Sequence, residues 1–324
     1  MRPLLVALGM VVVAACAEAE HSPTLRRGAP TEQEATAASG AGTPAASPAT
    51  GEGAGEEAPA APAPDPITTG ATENKNRGPS AGCGKAGAGT GLQARTLTVA
   101  GKERRYLRFV PPTYDPDAPL AVVLALHGAG GTAERARETF GLEAKAAGKS
   151  IFIYPQALEL DGEARWQAEK DSEDHAFVDM LLADVDKTHC VDRDRVFATG
   201  FSNGARMTAM LGCYRGDRLR AIAPVAPGGN DKTLPLEGCS GEVALWAGLG
   251  TEDAEHEAGA VRVRDHYRAA NGCGAQRALV KPDGCEAYQG CRDGLPTVWC
   301  TYPLGHAWPA IGAGGVWGFF SRFE

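Results

Sequence analysis

The chain has 324 residues, of which 43% are hydrophobic and 22% charged, with a formal net charge of −8. Much of that negative charge lies in the N-terminal quarter, so no basic footprint for nucleic acid exists. The apolar content of the remainder suits one domain with a sizeable core.

Met1-Arg2 precede an apolar run from Pro3 to Ala15 that ends at Cys16. The run is too short to span a bilayer and fits a signal-peptide core over residues 1–15. Val13-Ala14-Ala15-Cys16 looks like the bacterial lipobox, so Cys16 is the expected lipidation site. Ala17 follows it in place of an aspartate, which leans towards the outer membrane or cell surface; if the lipobox is unused, the chain is secreted. Residues 16–80 are mostly Ala, Gly, Pro, Thr, Ser and Glu. Such a segment cannot bury enough surface to offset its ordering entropy and reads as a disordered tether. The membrane is then met only through the N-terminal lipid, and a folded domain is expected over residues 81–324.

Within that domain, residues 95–100 and 105–110 alternate like the strands of a hairpin around Gly101-Lys102. Ala121 to Leu126 is continuously apolar, as a parallel strand covered on both faces should be. It runs into His127-Gly128-Ala129-Gly130-Gly131, whose glycines expose backbone N–H groups at the carboxyl edge of a sheet. A helix is expected over 133–147, a strand over 151–154 and a helix over 176–187. Strand 196–199 then breaks into Gly200-Phe201-Ser202-Asn203-Gly204 and a helix over 205–211. A serine at such a strand–turn–helix apex is lifted clear of the sheet in a strained backbone, at a helix N-terminus that favours negative charge. Gly78-Pro79-Ser80-Ala81-Gly82 fits the same Gly-x-Ser-x-Gly pattern but has no strand before it and no helix after it. Ser202 is therefore the nucleophile candidate, with the Ala129 and Asn203 N–H groups as an oxyanion hole. A phosphate-binding reading of the glycine loop lacks the Lys-Ser/Thr of a P-loop and an acidic ribose ligand.

Strands over 221–225, 243–246 and 297–299 and a helix over 257–270 complete the pattern. The strand ending at Trp246 leads through a flexible turn to Glu252-Asp253. Asp253 is the preferred triad acid and Glu252 the runner-up, with capping of the following helix the competing role for Asp253. A histidine arriving late in the chain should be the base, and His306 follows the last strand directly. His256 and His266 lie within or beside an amphipathic helix and read as solvated. His21 is in the tether, His175 and His189 precede the nucleophile, and His127 belongs to the glycine loop. Trp166, Phe201 and Trp308 lie near the proposed site and could stack on a substrate ring or sugar, with packing an equal reading for each. Strands alternating with helices imply a mainly parallel sheet with helices on both faces.

The chain has nine cysteines, eight of them after Cys16. An even number behind an export signal argues for disulfides, and no Cys-x-x-Cys pair suggests a metal site. A strand of about 20 Å and a returning helix of about 15 Å bring Cys190 and Cys213 to the same side of the sheet, so Cys190–Cys213 is the pair expected from geometry.

Residues from Ala81 to Phe323 resemble the secreted α/β-hydrolase family of feruloyl esterases and polyhydroxybutyrate depolymerase-like esterases. The resemblance rests on Leu126-His127-Gly128-Ala129-Gly130-Gly131, Ala176-Phe177-Val178-Asp179, the run from Cys190 to Gly204, and Ala221-Ile222-Ala223-Pro224-Val225. Asn271-Gly272-Cys273, Tyr288-Gln289-Gly290-Cys291, Val298-Trp299-Cys300, Gly305-His306 and Trp308-Pro309 continue it in the same order. It implies an α/β-hydrolase fold in a single catalytic domain, with Ser202, Asp253 and His306 as triad. One departure is local to the acid: the family often carries His-Gly-x-x-Asp where this chain has Leu249-Gly250-Thr251-Glu252-Asp253. The expected activity is serine carboxylic-ester hydrolysis on feruloyl or acetyl esters of plant polysaccharide such as xylan, by a monomer needing no metal or organic cofactor. A polyhydroxybutyrate depolymerase or short-chain esterase is the alternative. A surface lipoprotein that keeps the fold only for binding is the third reading.

Overall fold

The computed structural model describes residues 77–323, apart from positions 86, 88, 231, 237 and 240. The expected signal segment, Cys16 and the tether to position 76 lie outside the described residues. The first half of the domain runs β1 (Gly91–Val99), β2 (Lys102–Val110), β3 (Leu120–Leu126), α1 (Ala133–Phe140), α2 (Leu142–Ala146) and β4 (Ser150–Pro155). A small hairpin of β5 (Glu159–Leu160) and β6 (Glu163–Ala164) leads to α3 (Glu173–Thr188), β7 (Val191–Phe201) and α4 (Asn203–Tyr214). Then come β8 (Ala221–Val225), β9 (Ala244–Gly250), α5 (Ala254–Ala270), β10 (Arg277–Val280), β11 (Cys285–Tyr288), β12 (Thr297–Tyr302) and α6 (Gly312–Phe320).

Apart from the β5–β6 hairpin, the strands form one ten-stranded sheet in the order β1-β2-β4-β3-β7-β8-β9-β12-β11-β10. The six central strands from β4 to β12 pair in parallel, and antiparallel strands close both edges. Chain order reverses at β3: its crossover to β4 runs one way and the later crossovers run the other. Right-handed connections therefore place α1 and α2 on one face and α3, α4 and α5 on the other. A crevice opens outside the carboxyl ends of β3 and β7, where open α/β sheets bind ligands.

The continuous apolar run of β3 follows from this placement, because every residue from Ala121 to Leu126 is buried. The helix expected over 133–147 is broken at Gly141, which takes a left-handed conformation (φ 61°) and donates its N–H to the Arg137 carbonyl. Helix α6 was not expected from periodicity. Its sequence Gly-Ala-Gly-Gly-Val-Trp-Gly-Phe-Phe has no polar face. Its large side chains are buried while Gly314 and Gly318 are exposed, and Phe320 stacks on Phe197 of β7 at 4.6 Å.

The described chain begins inside the stretch that the sequence assigns to the tether. Arg77 pairs with Asp194 at 3.1 Å. Ser80 is buried, its hydroxyl donating to the His189 carbonyl at 2.6 Å and accepting from the Val191 N–H at 2.9 Å. This serine is a clasp on the start of β7, which accounts for its lack of an elbow.

The same clasp corrects the expected Cys190–Cys213 disulfide. Cys190 is bonded to Cys83, and Cys213 to Cys239. The N-terminal segment bridges Pro79 to Asp192 and so carries Cys83 onto Cys190. Helix α4 packs over β8 as well as β7, so its end reaches the β8–β9 connection, where the Gly241 N–H donates to the Cys213 carbonyl. Returning to the same side of a sheet did not mean returning to the same strand. Cys273–Cys291 and Cys285–Cys300 complete the set, the latter joining directly opposed residues of β11 and β12.

Candidate active site

Ser202 sits between β7 and α4 with φ 57° and ψ −118°, a backbone conformation that non-glycine residues rarely hold. Its N–H donates to Val225 O at 3.0 Å, and its carbonyl accepts from the Arg206 N–H at 3.0 Å, so both sides of the turn are fixed. A β-carbon on Gly200 would fall 2.5 Å from the Gly204 carbonyl oxygen, and one on Gly204 would collide with the Leu126 and His127 carbonyls. The two glycines of the motif thus let helix, strand and neighbouring loop meet in backbone contact.

That neighbouring loop is the glycine stretch after β3. His127 is buried, and burial lowers its basicity, so it stays neutral. Its Nε2 accepts from the Ala157 N–H at 3.1 Å, which leaves Nδ1–H to donate to the Gly128 carbonyl at 2.6 Å. Trp166 donates its indole N–H to the His127 carbonyl at 2.8 Å, and its backbone N–H to Asn203 Oδ1 at 2.6 Å. Loop and elbow are therefore tied together by one tryptophan. The Ala129 and Asn203 N–H groups have no acceptor among the described residues. Donors at a strand end and a helix N-terminus suit an oxyanion.

His306, in the loop after β12, places Nδ1 2.7 Å from Asp253 Oδ2. A carboxylate only accepts, so Nδ1 carries the hydrogen and Nε2 is left as an acceptor. Asp253 occupies the N-cap position of α5 but makes no cap hydrogen bond; its carboxylate is spent on imidazole instead. Burial pushes this carboxyl up, but the hydrogen bonds from His306 and His256 outweigh it and hold it below the ordinary carboxylate value. Glu252, the runner-up acid, is exposed.

Ser202, His306, Phe201, Ala129, Thr132, Arg135, Thr139 and Phe140 line one cavity of about 350 Å³. Two cavities of about 460 Å³ elsewhere in the domain are lined by no serine and no carboxylate-bonded histidine. The three aromatic residues expected at the substrate divide. Phe201 lines the cavity and stacks on His306 at 4.6 Å. Trp166 is 1% exposed, so it positions the loop and has no face free for a ligand. Trp308 is half-buried and stacked at 4.0 Å on Phe140, a core residue 2% exposed at the edge of the cavity, so it packs the wall from behind. The sequence reading missed His256, which looked solvated. His256 in fact bonds Asp253 and stacks on His306. Only its spacing of three residues from the acid on a helix signals this.

A strained serine, an imidazole oriented by a buried carboxylate and unpaired backbone donors, set at the carboxyl edge of a parallel sheet, fit acyl transfer from esters. The comparisons with known proteins agree. Feruloyl esterase D of Neurospora crassa is 31% identical over 261 residues, covering 72% of this chain and 86% of that protein. Feruloyl esterase C of Emericella nidulans is 31% identical over 220 residues, covering 60% and 77%. An acetyl xylan esterase from Aspergillus awamori superposes with a TM-score of 0.59 at 16% identity, covering 72% of this chain and 99% of that one, which supports the fold. No family profile matches the chain. The protein is a carboxylic ester hydrolase of the α/β-hydrolase fold. Within that class, it belongs to the feruloyl esterase family.

Proposed function

We propose that this chain hydrolyses feruloyl or acetyl esters of plant cell-wall polysaccharide through a Ser202–His306–Asp253 triad. The observation that carries this reading is the His306–Asp253 bond of 2.7 Å on the wall of the cavity that also holds Ser202 at its strained elbow. Ser202 Oγ attacks the ester carbonyl carbon as its proton passes to His306 Nε2. Asp253 orients the ring and stabilises the imidazolium. The Ala129 and Asn203 N–H groups receive the oxyanion, each such donor being worth about 10²–10³ in rate. The C–O bond to the alcohol then breaks, and the alcohol leaves with the proton from His306. Water gives its proton to His306, attacks the acyl-enzyme and releases the acid, with Ser202 reprotonated. Relatives named as feruloyl esterases and a structural neighbour named as an acetyl xylan esterase support the substrate class. Phe201, partly exposed on the cavity wall, supplies an apolar surface for an acyl group.

The test is a substrate panel of methyl ferulate, acetylated xylan, p-nitrophenyl acetate and hydroxybutyrate oligomers. Turnover of the first two above the others is expected. Cleavage of hydroxybutyrate oligomers alone would move the enzyme to the depolymerases, and silence on every ester would leave a binding protein.

We infer further that the chain is exported and lipidated at Cys16, supported by the apolar run and Val13-Ala14-Ala15-Cys16 before it. Palmitate labelling of the full chain and its loss in Cys16→Ser is the expected result.

A further inference from the structure

Asp253 serves two imidazoles. Oδ2 accepts from His306 Nδ1 at 2.7 Å, and Oδ1 accepts from His256 Nδ1 at the same distance. The two rings lie face to face, 3.7 Å between centroids and 9° from parallel. His256 is on the first turn of α5, three residues after Asp253, so helical geometry returns its side chain over the carboxylate. The loop after β8 holds it there: a β-carbon on Gly228 would lie 2.5 Å from His256 Cδ2. On its far side, His306 is backed by Phe201. The base is thus the middle layer of a stack of three rings.

We propose that His256 is a positioning residue for ester hydrolysis, fixing the plane of the Asp253 carboxylate and one face of His306 so that the imidazole keeps its orientation on the cavity wall it shares with Ser202. The proposal rests on the triad reading above. With each carboxylate oxygen committed to a different imidazole, Asp253 cannot rotate without breaking both bonds. A lone carboxylate at the N-cap of α5 would instead be free to turn towards the helix N–H groups, as capping aspartates do. His256 does not line the cavity and so does not reach the reacting atoms. The titratable groups facing its ring are Asp253, from its own turn, and His306, from the loop after β12; the loop after β8 presents Gly228.

Two variants separate the donor from the ring. His256→Phe keeps an aromatic face against His306 but removes the hydrogen bond to Asp253. His256→Asn places an amide donor at nearly the reach of Nδ1. We expect His256→Phe to lower kcat on p-nitrophenyl acetate about tenfold with KM unchanged, since a misaimed base loses rate without losing binding. The acid limb of kcat/KM should move to higher pH, because Asp253 then directs its full charge to His306. His256→Asn should restore the limb and most of kcat. Wild-type kcat and limb in His256→Phe would overturn the proposal. So would equal losses in both variants that track the folded fraction with the limb unmoved, which is what a packing role gives. If His256→Phe fails to fold, the limb and kcat of His256→Asn decide against His256→Ala. Asp253→Asn is the control: a loss of about ten-thousandfold is expected. A small loss there breaks the triad reading, whereas a large loss there beside an unimpaired His256→Phe breaks only this proposal.

Discussion

Gly204, the second residue of α4, rests against the carbonyl oxygen of Leu126, the last residue of β3, with no room for a β-carbon between them. This contact sets the nucleophile turn against the glycine loop, and neither partner can yield by rotating a side chain. Gly204→Ala must push α4 off β3. We expect a loss of about 1–3 kcal/mol in stability, typical of overpacking, and a kcat reduced by more than about tenfold as the elbow moves from the loop donors. Urea unfolding and steady-state kinetics check it. Wild-type kcat would show that the two backbones can separate without cost.

Trp166 provides a second tie between the same loop and elbow, from indole N–H to the His127 carbonyl and from backbone N–H to Asn203 Oδ1. Trp166→Phe keeps an aromatic ring and leaves the buried carbonyl without its donor, at about 1–3 kcal/mol. With the oxyanion donors loosened, kcat should fall by about ten- to a hundredfold while KM changes little. A raised KM at constant kcat would mean that Trp166 contacts substrate after all.

Ser80 and Cys83 hold the N-terminal segment to the start of β7, far along the strand from Ser202. Ser80→Ala should leave kcat unchanged and lower stability by about 1–2 kcal/mol, because two hydrogen bonds in a buried site are lost. The Cys83–Cys190 bridge closes a separation of 107 residues, the longest of the four. On a chain-entropy account it contributes most, about 4–5 kcal/mol. Cys83→Ser with Cys190→Ser should therefore lower Tm more than removal of Cys273–Cys291, by calorimetry.

Asp253 links the site to pH. Its carboxyl is held below the usual value of 3.8 in the folded protein. A group depressed on folding contributes stability above its unfolded pKa and loses it as pH falls through the folded one. The stability difference between wild type and Asp253→Asn should be level from neutral pH to about pH 5 and shrink below about pH 4. Denaturant unfolding at several pH values measures it. A difference that grows towards acid would reverse the sign and contradict the pairing with the two histidines.

Much of this architecture was legible from residues alone, for reasons that can be named. The central strands are apolar because both faces are covered, and Gly200 and Gly204 stand where a β-carbon would meet backbone, on either side of the strained turn at Ser202. The expected partners His306 and Asp253 follow strand ends, so they come together at one edge of a parallel sheet whatever the loops between them do. Contacts made across the fold were not legible. Cys83 lies just past a low-complexity stretch, with no predicted element around it, and its bridge to Cys190 depends on a segment running beside β7. Trp166 and Trp308 carry large rings whose burial is decided by neighbours distant in sequence. His256 is polar and on a helix, like many solvated residues, and its role depends on a loop from β12 that brings His306 onto it. Helix α6 has no amphipathic period because its exposed side is made of Gly314 and Gly318, which carry no polar side chain.

The account stands on Ser202 as the nucleophile. Reaction of the folded protein with a fluorophosphonate, followed by intact-mass measurement and peptide mapping, tests this most directly, because only an activated serine is phosphonylated. One adduct per chain is predicted, on the peptide holding Ser202, absent in Ser202→Ala and unaffected by Ser80→Ala. No adduct, or an adduct that persists in Ser202→Ala, would contradict it.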